Sequence, residues 1–136
     1  MEFSVYLAFN GQCEAAMNFY KDALGAEMKM MQRYSDSPMP HAPEDANLIL
    51  HSNMEKDGFI LMGSDGSSKH PVTFGDNAAI SINFHSDEEI TRVFNAISAG
   101  GHITMPLQDT FWGARFGMCK DKFGTSWMFN WDKPQD

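Results

Sequence analysis

The sequence predicts an α+β fold of two βαβββ repeats, each a four-stranded curved sheet carrying one helix. Three observations predict it. Laid over itself so that Phe9 falls on Phe84, the chain also places Leu7 on Ile82, Phe19 on Phe94, Gly25 on Gly100 and Met30 on Met105. Within each copy the apolar spacing switches from the alternation of a strand to the i, i+3, i+4 stripe of a helix. A glycine follows each stripe, and β-rich segments follow the glycine.

In the first copy a strand is expected near residues 4–8. Asn10 or Gly11 then caps a helix whose stripe is Cys13, Ala16, Met17 and Tyr20, widened by Phe19 and Leu24. Gly25 stops it, and strands are expected near 27–35, 47–55 and 58–65. The second copy opens with "AISINFH", where Ile80, Ile82 and Phe84 alternate with Ser81, Asn83 and His85. Ser86 and Glu89 have the spacing of a capping box, and Asp87, Glu88 and Glu89 put negative charge in the first turn, where the helix dipole favours it. Ile90, Val93, Phe94 and Ile97 form the stripe, Gly100 and Gly101 end it, and strands are expected near 102–109, 114–120 and 125–132. A second alignment lays Asp57-Gly58 over Phe123-Gly124 and Met62 over Met128. The offset between the two alignments comes from the loop "SDSPMPHAPEDAN" in the first copy, rich in Pro and polar residues and expected to be a mobile surface segment. Repeat one then covers about 1–66 and repeat two about 76–133, in a single domain of 1–136.

Composition narrows the function. Apolar residues make up 43% and charged residues 21%, enough for a normal core. The net charge of −8, with scattered basic residues, argues against nucleic acid, which is held by clustered Lys and Arg. No apolar run reaches the length of a bilayer span, so no membrane partner is expected. The start "MEFSVYLAF" lacks the basic region of a signal peptide, which makes a cytoplasmic location the expectation. Cys13 and Cys119 are read as buried, reduced thiols, and the eleven Met as filler for the core or for a permissive apolar pocket.

One helix per sheet covers one face and leaves the other without a helix. Pairing two such sheets would enclose a concavity between them. "YLAFNGQCEAAMNFYKDALGAE" near the start and "DTFWGARFG…DKFGTSWMFNW" near the end resemble the glyoxalase/bleomycin-resistance/dioxygenase (vicinal oxygen chelate) superfamily, and within it the PhnB-like branch, some members of which carry a 3-demethylubiquinone methyltransferase label. The resemblance spans nearly the whole chain and implies a glyoxalase-like cleft. Methyltransferase chemistry is not expected. It commonly needs a Gly-rich strand-to-helix turn in a parallel α/β sheet, whereas Gly63 and Gly66 lie at a strand end and Gly11 is a lone cap.

The resemblance also implies a metal held by His or Glu from the first and last strand of each repeat, acting as a Lewis acid on two substrate oxygens. The corresponding windows, residues 4–8, 60–64, 79–83 and 126–130, contain no His, Asp, Glu or Cys. Met128 stands where the family commonly has Glu, and Met62 is its repeat mate. A thioether is a poor ligand for hard divalent ions. No metal and no cofactor are therefore expected. His41, His70, His85 and His102 read as surface histidines; His51 lies mid-strand and is a candidate for the pocket. A site combining His51 with Glu55 or Asp65 is the remaining metal alternative.

In "SWMFNW", Trp127, Phe129 and Trp131 share one face and Ser126, Met128 and Asn130 the other. The resemblance turns the Met128 side toward the cavity and the tryptophans under the helix. The candidate ligand-binding set is then Tyr6, His51, Met62, Ser81, Asn83, Ser126, Met128 and Asn130, rimmed by Trp112, Arg115 and Phe116. Arg115 is read either as a bidentate anchor for a carboxylate or phosphonate or as an ordinary salt bridge. Three functional readings remain open: a metal-free protein that binds or sequesters a small, partly apolar molecule, an enzyme of the superfamily with unrecognised chemistry and no assigned catalytic residue, and a structural or regulatory homodimer. The expected partners are a small-molecule ligand and a second copy of the chain.

Overall fold

The computed structural model describes residues 1–135. Its elements run β1 (Val5–Phe9), α1 (Cys13–Leu24), β2 (Glu27–Arg33), β3 (Ile49–Lys56), β4 (Phe59–Asp65), β5 (Ile80–Asn83), α2 (Asp87–Ser98), β6 (His102–Asp109), β7 (Ala114–Lys120) and β8 (Ser126–Asp132). The chain divides into two compact units, Met1–Thr73 and Phe74–Asp136, each carrying one βαβββ repeat. Each unit is a four-stranded sheet, ordered β1-β4-β3-β2 in the first and β5-β8-β7-β6 in the second. The first strand of each repeat pairs parallel with the last, and the remaining pairs are antiparallel.

In unit one, α1 packs on β2, β3 and β4. Cys13, Ala16, Met17, Tyr20 and Ala23 of the helix are buried, as are Phe9, Ile49 and Met54 of the strands. Close approach of the helix is set by Gly63: a Cβ there would lie 3.1 Å from Met17 Sδ and 3.4 Å from Cys13 Sγ. The helix start departs from the expected local cap. Gln12 is the N-cap residue and makes no side-chain cap bond. The orphan donors are instead met by Asp65 of β4, whose Oδ1 accepts from Gly11 N (2.8 Å) and Cys13 N (3.0 Å) while Oδ2 accepts from Ile49 N (2.9 Å). Asn10 is spent elsewhere, exchanging two hydrogen bonds with the Val72 backbone.

The loop between β2 and β3 is folded on itself. It carries two 3₁₀ turns, Tyr34–Asp36 and Pro43–Asp45, and buries Asp45, whose Oδ2 accepts from the backbone N–H and hydroxyl of Ser68.

Unit two repeats the plan with a cleaner cap: Ser86 Oγ accepts from Glu89 N at 3.1 Å. Ile90, Val93, Phe94 and Ile97 of α2 are buried over Trp127 and Phe129 of β8. Phe129 stacks on Phe84 and takes the edge of Phe94. The Trp127 indole donates to Asp121 Oδ2 at 2.7 Å, satisfying a buried N–H that would otherwise cost its full desolvation. The aromatic tract at the end of the chain is thus core on the side of Trp127 and Phe129.

Candidate functional site

The strand registers decide which residues share the face that each unit's helix leaves uncovered. In unit one Tyr6 pairs with Met62, Met62 with Asn53 and Asn53 with Met30, so these four form a row across the sheet. In unit two the matching row is Ser81, Met128, Met118 and Met105. One step along, Asn83, Asn130, Phe116 and Gln108 form another. Burial agrees with this parity: Trp127 and Phe129 are buried, while Ser126, Met128 and Asn130 between them are half-buried. Every candidate named from the sequence on β1, β4, β5 and β8 lies on the helix-free face of its own unit.

His51 joins the first set. It stands on the same side of β3 as Asn53 and pairs with Gln32. Tyr6 OH lies 3.1 Å from His51 Nδ1, and the two rings stack with centroids 5.7 Å apart. Because β4 separates β1 from β3, this pair reaches across the middle of the sheet face rather than along one ladder. A phenol is a ready donor and a neutral imidazole has one acceptor nitrogen. The bond therefore favours the tautomer with its proton on Nε2, leaving that N–H as a donor not used by Tyr6. In unit two the polar groups are amides: Asn130 Nδ2 donates to Asn83 Oδ1 and to Asp132 Oδ1, each at 3.2 Å. Asn83 and Asn130 also line a depression of about 400 Å³ together with His85 and Asp132.

Arg115 does not join them. It is the second residue of β7, of opposite parity to Phe116, and so projects to the helix side. Its Nε lies 3.1 Å from Asp87 Oδ1 in the first turn of α2, off the line a hydrogen bond needs, and its Nη1 lies 3.8 Å from Asp109. Lys133 binds the same Asp109 at 2.7 Å and holds its carboxyl below the usual range. Two cations and two carboxylates thus neutralise one another around a depression of about 450 Å³ on the helix side. Of the rim residues, Phe116 is on the helix-free face, and Trp112 meets it edge-on from the exposed turn before β7.

The ion that the fold implies can be tested against these positions. Tyr6 beside Met62 and Ser81 beside Met128 offer a phenol, a hydroxyl and two thioethers, which do not fit a hard divalent ion. Nor do the other candidates assemble. Asp65 points to the helix side, opposite His51, and is occupied by three backbone donors. Glu55 shares the face of His51 but stands four residues along the strand, roughly 13 Å away at strand rise. Among the described residues, neither unit gathers three His, Cys, Asp or Glu side chains as an ion of that kind would need.

The thiols are not nucleophiles here. Burial pushes both Cys13 and Cys119 up to about 12, so each is protonated at neutral pH. Sequence reasoning missed Asn53, Met30, Met105, Met118 and Gln108 as face residues. The faces of Met30, Met105 and Gln108 depend on pairing across β-bulges in β2 and β6, which no single-strand alternation reveals, whereas Asn53 and Met118 follow from the regular registers of β3 with β4 and β7 with β8.

Comparison with known proteins bears on this arrangement. Residues 3–129 match the family model of the Glyoxalase/Bleomycin resistance protein/Dioxygenase superfamily. The chain belongs to that superfamily. Protein YjdN of Escherichia coli is 32% identical over 99% of this chain and 98% of its own. Among solved structures, protein PA1353 of Pseudomonas aeruginosa is 38% identical with a TM-score of 0.92, covering 98% of this chain and 99% of that one. A PhnB protein of Bacillus cereus is 29% identical with a TM-score of 0.81, covering 96% and 99%. Within the superfamily this chain is thus of the PhnB/YjdN type, and its helix-free sheet faces carry neutral side chains at the positions where the fold's metal ligands are expected.

Proposed function

We propose that this glyoxalase-superfamily protein binds a small, partly apolar molecule without a divalent metal, on the helix-free face of unit one. The Tyr6–His51 pair carries the reading. The tyrosine hydroxyl holds the imidazole by Nδ1 and so leaves one polar anchor, the Nε2 proton, free of that bond. Around it lie Met62, Met30 and Asn53, giving adaptable apolar surface and one amide. A few convergent polar groups on an apolar floor are the usual makeup of a small-molecule site. The matching ligand has a flat or aliphatic body and one hydrogen-bond acceptor, such as a carbonyl, carboxylate or phosphonate. Tyr6 is 49% exposed, so its hydroxyl and ring are available to such a molecule.

A thermal-shift screen of small aromatic acids and ketones, run in EDTA and again with divalent ions, tests the proposal. The expected result is stabilisation that is the same in both, about 2.7 kcal/mol at a ligand concentration of a hundred times Kd. Tyr6→Phe should lose about 1 kcal/mol of the binding free energy, because Nδ1 is left without its donor. Stabilisation that appears only with a divalent ion would overturn the reading in favour of a metal-dependent enzyme. No stabilisation by any compound would favour a structural role for a homodimer.

A further inference from the structure

The row Ser81–Met128–Met118–Met105 raises a question that the small-molecule reading leaves open. Three thioethers stand on three neighbouring strands, β8, β7 and β6, paired Met128 with Met118 and Met118 with Met105. Sheet faces are normally built from β-branched and aromatic residues, which suit a pleated surface. Met is unbranched and spends side-chain entropy when ordered, so three in register need a reason beyond filling space. All three are half-buried, and among the described residues no hydrogen bond engages their sulfurs.

We infer that Met105, Met118 and Met128 form a site for a soft monovalent ion of the copper(I) class on the helix-free face of unit two. Neighbouring strands lie about 4.8 Å apart, so the central Met118 has one thioether beside it on each side, and the outer two long side chains can lean inward over it. Three neutral sulfurs from three strands make a trigonal donor set with no charge to neutralise. Thioether is the ligand type that selects a soft ion and rejects the hard divalent ones. A single positive charge is also the least costly ion to desolvate on a neutral surface. The chain's net charge of −8 does not oppose its approach.

Unit one supplies an internal contrast. Its equivalent row is Tyr6–Met62–Asn53–Met30, in which an amide replaces the central thioether. Met62 and Met30 are then separated by Asn53 and cannot share an ion with a third sulfur. The site therefore belongs to unit two alone. Cys119 is next to Met118 in sequence but lies on the opposite, buried face of β7, so it is not part of the donor set.

Silver(I) in a nitrate buffer serves as the probe, with methionine methyl groups labelled with ¹³C and each of the three signals assigned from the variants Met105→Leu, Met118→Leu and Met128→Leu. The expected result is that these three of the eleven methionine signals move together and saturate at one equivalent, before any other. Met118→Leu should weaken binding by about tenfold or more, since losing a ligand costs at least what losing a group that supports one does. Met128→Leu should do the same, and Met30→Leu should leave affinity unchanged. The inference is overturned if the methionine signals move in parallel without preference, if none moves, or if both Met118→Leu and Met128→Leu bind silver as the parent does. Tyr6→Phe should not alter the titration, which separates this site from the small-molecule reading on unit one.

Discussion

Asp65 shows how much of this molecule rests on single side chains that a reading of local sequence passes over. Its carboxylate is buried and accepts from Gly11 N, Cys13 N and Ile49 N, so one side chain ties the start of α1 to the last and third strands of its repeat. Asp65→Ala would leave these backbone donors short of partners in a place water does not reach freely, at about 1–3 kcal/mol for each one left unmet. The expected outcome is a fall in unfolding free energy of about 3 kcal/mol or more, measured by urea denaturation. Asp65→Asn keeps a carbonyl oxygen and should recover part of it. The residue was read from the sequence only as a remote metal alternative, because its partners lie up to 54 positions away and no spacing rule links them. The helix-free face was more legible. Simple alternation places Ser126, Met128 and Asn130 together, and the repeat carries Met62 and Tyr6 with them. Arg115 was left between an anion anchor and an ordinary salt bridge; its parity against Phe116 in β7 puts it on the helix side, beside Asp87 and Asp109, as in the second of these.

At the scale of elements the two helices are near copies that start by different physics. Both have twelve residues and an apolar stripe buried against the sheet. In α2 the signal is local: Ser86 accepts from Glu89 N, and three acids fill the first turn. Ser86→Ala is expected to cost about 1 kcal/mol, read as a shift in thermal unfolding. Gln12→Ala at the equivalent position of α1 should cost far less, since that side chain caps nothing. This difference also explains what could be read in advance. The second repeat was clear because its cap, stripe and stop are contiguous in sequence, whereas the first borrows its cap from β4. The strands were placed to within a few residues by apolar alternation, but the bulges in β2 and β6 were not, because they follow from pairing with a partner strand.

Across the whole molecule, the titration of buried groups sets an alkaline limit to stability. Burial raises Cys13 in unit one and Cys119 in unit two from an ordinary thiol value of 9.0 to about 12, and burial also raises Tyr34. A group whose folded pKa lies above its unfolded value holds its proton longer in the folded state. Its stabilisation is complete below the unfolded value and is lost as pH rises toward the folded one. Both units therefore share a window from about pH 9 to about pH 12 in which ionising the unfolded chain pulls the equilibrium away from the fold. Urea midpoints measured at pH 8 and pH 10.5 should fall between the two. Cys119→Ala loses packing at both values but should make the fall smaller, since one of the linked protons is gone. An equal fall in parent and variant would mean that the Cys119 thiol ionises in the folded protein as easily as in the unfolded one, and that the core over Trp127 and Phe129 is open to water. Labelling supports the same distinction: a thiol reagent at pH 7 should leave both cysteines unmodified until the protein is unfolded, and rapid modification of either would point to an opening of its own unit.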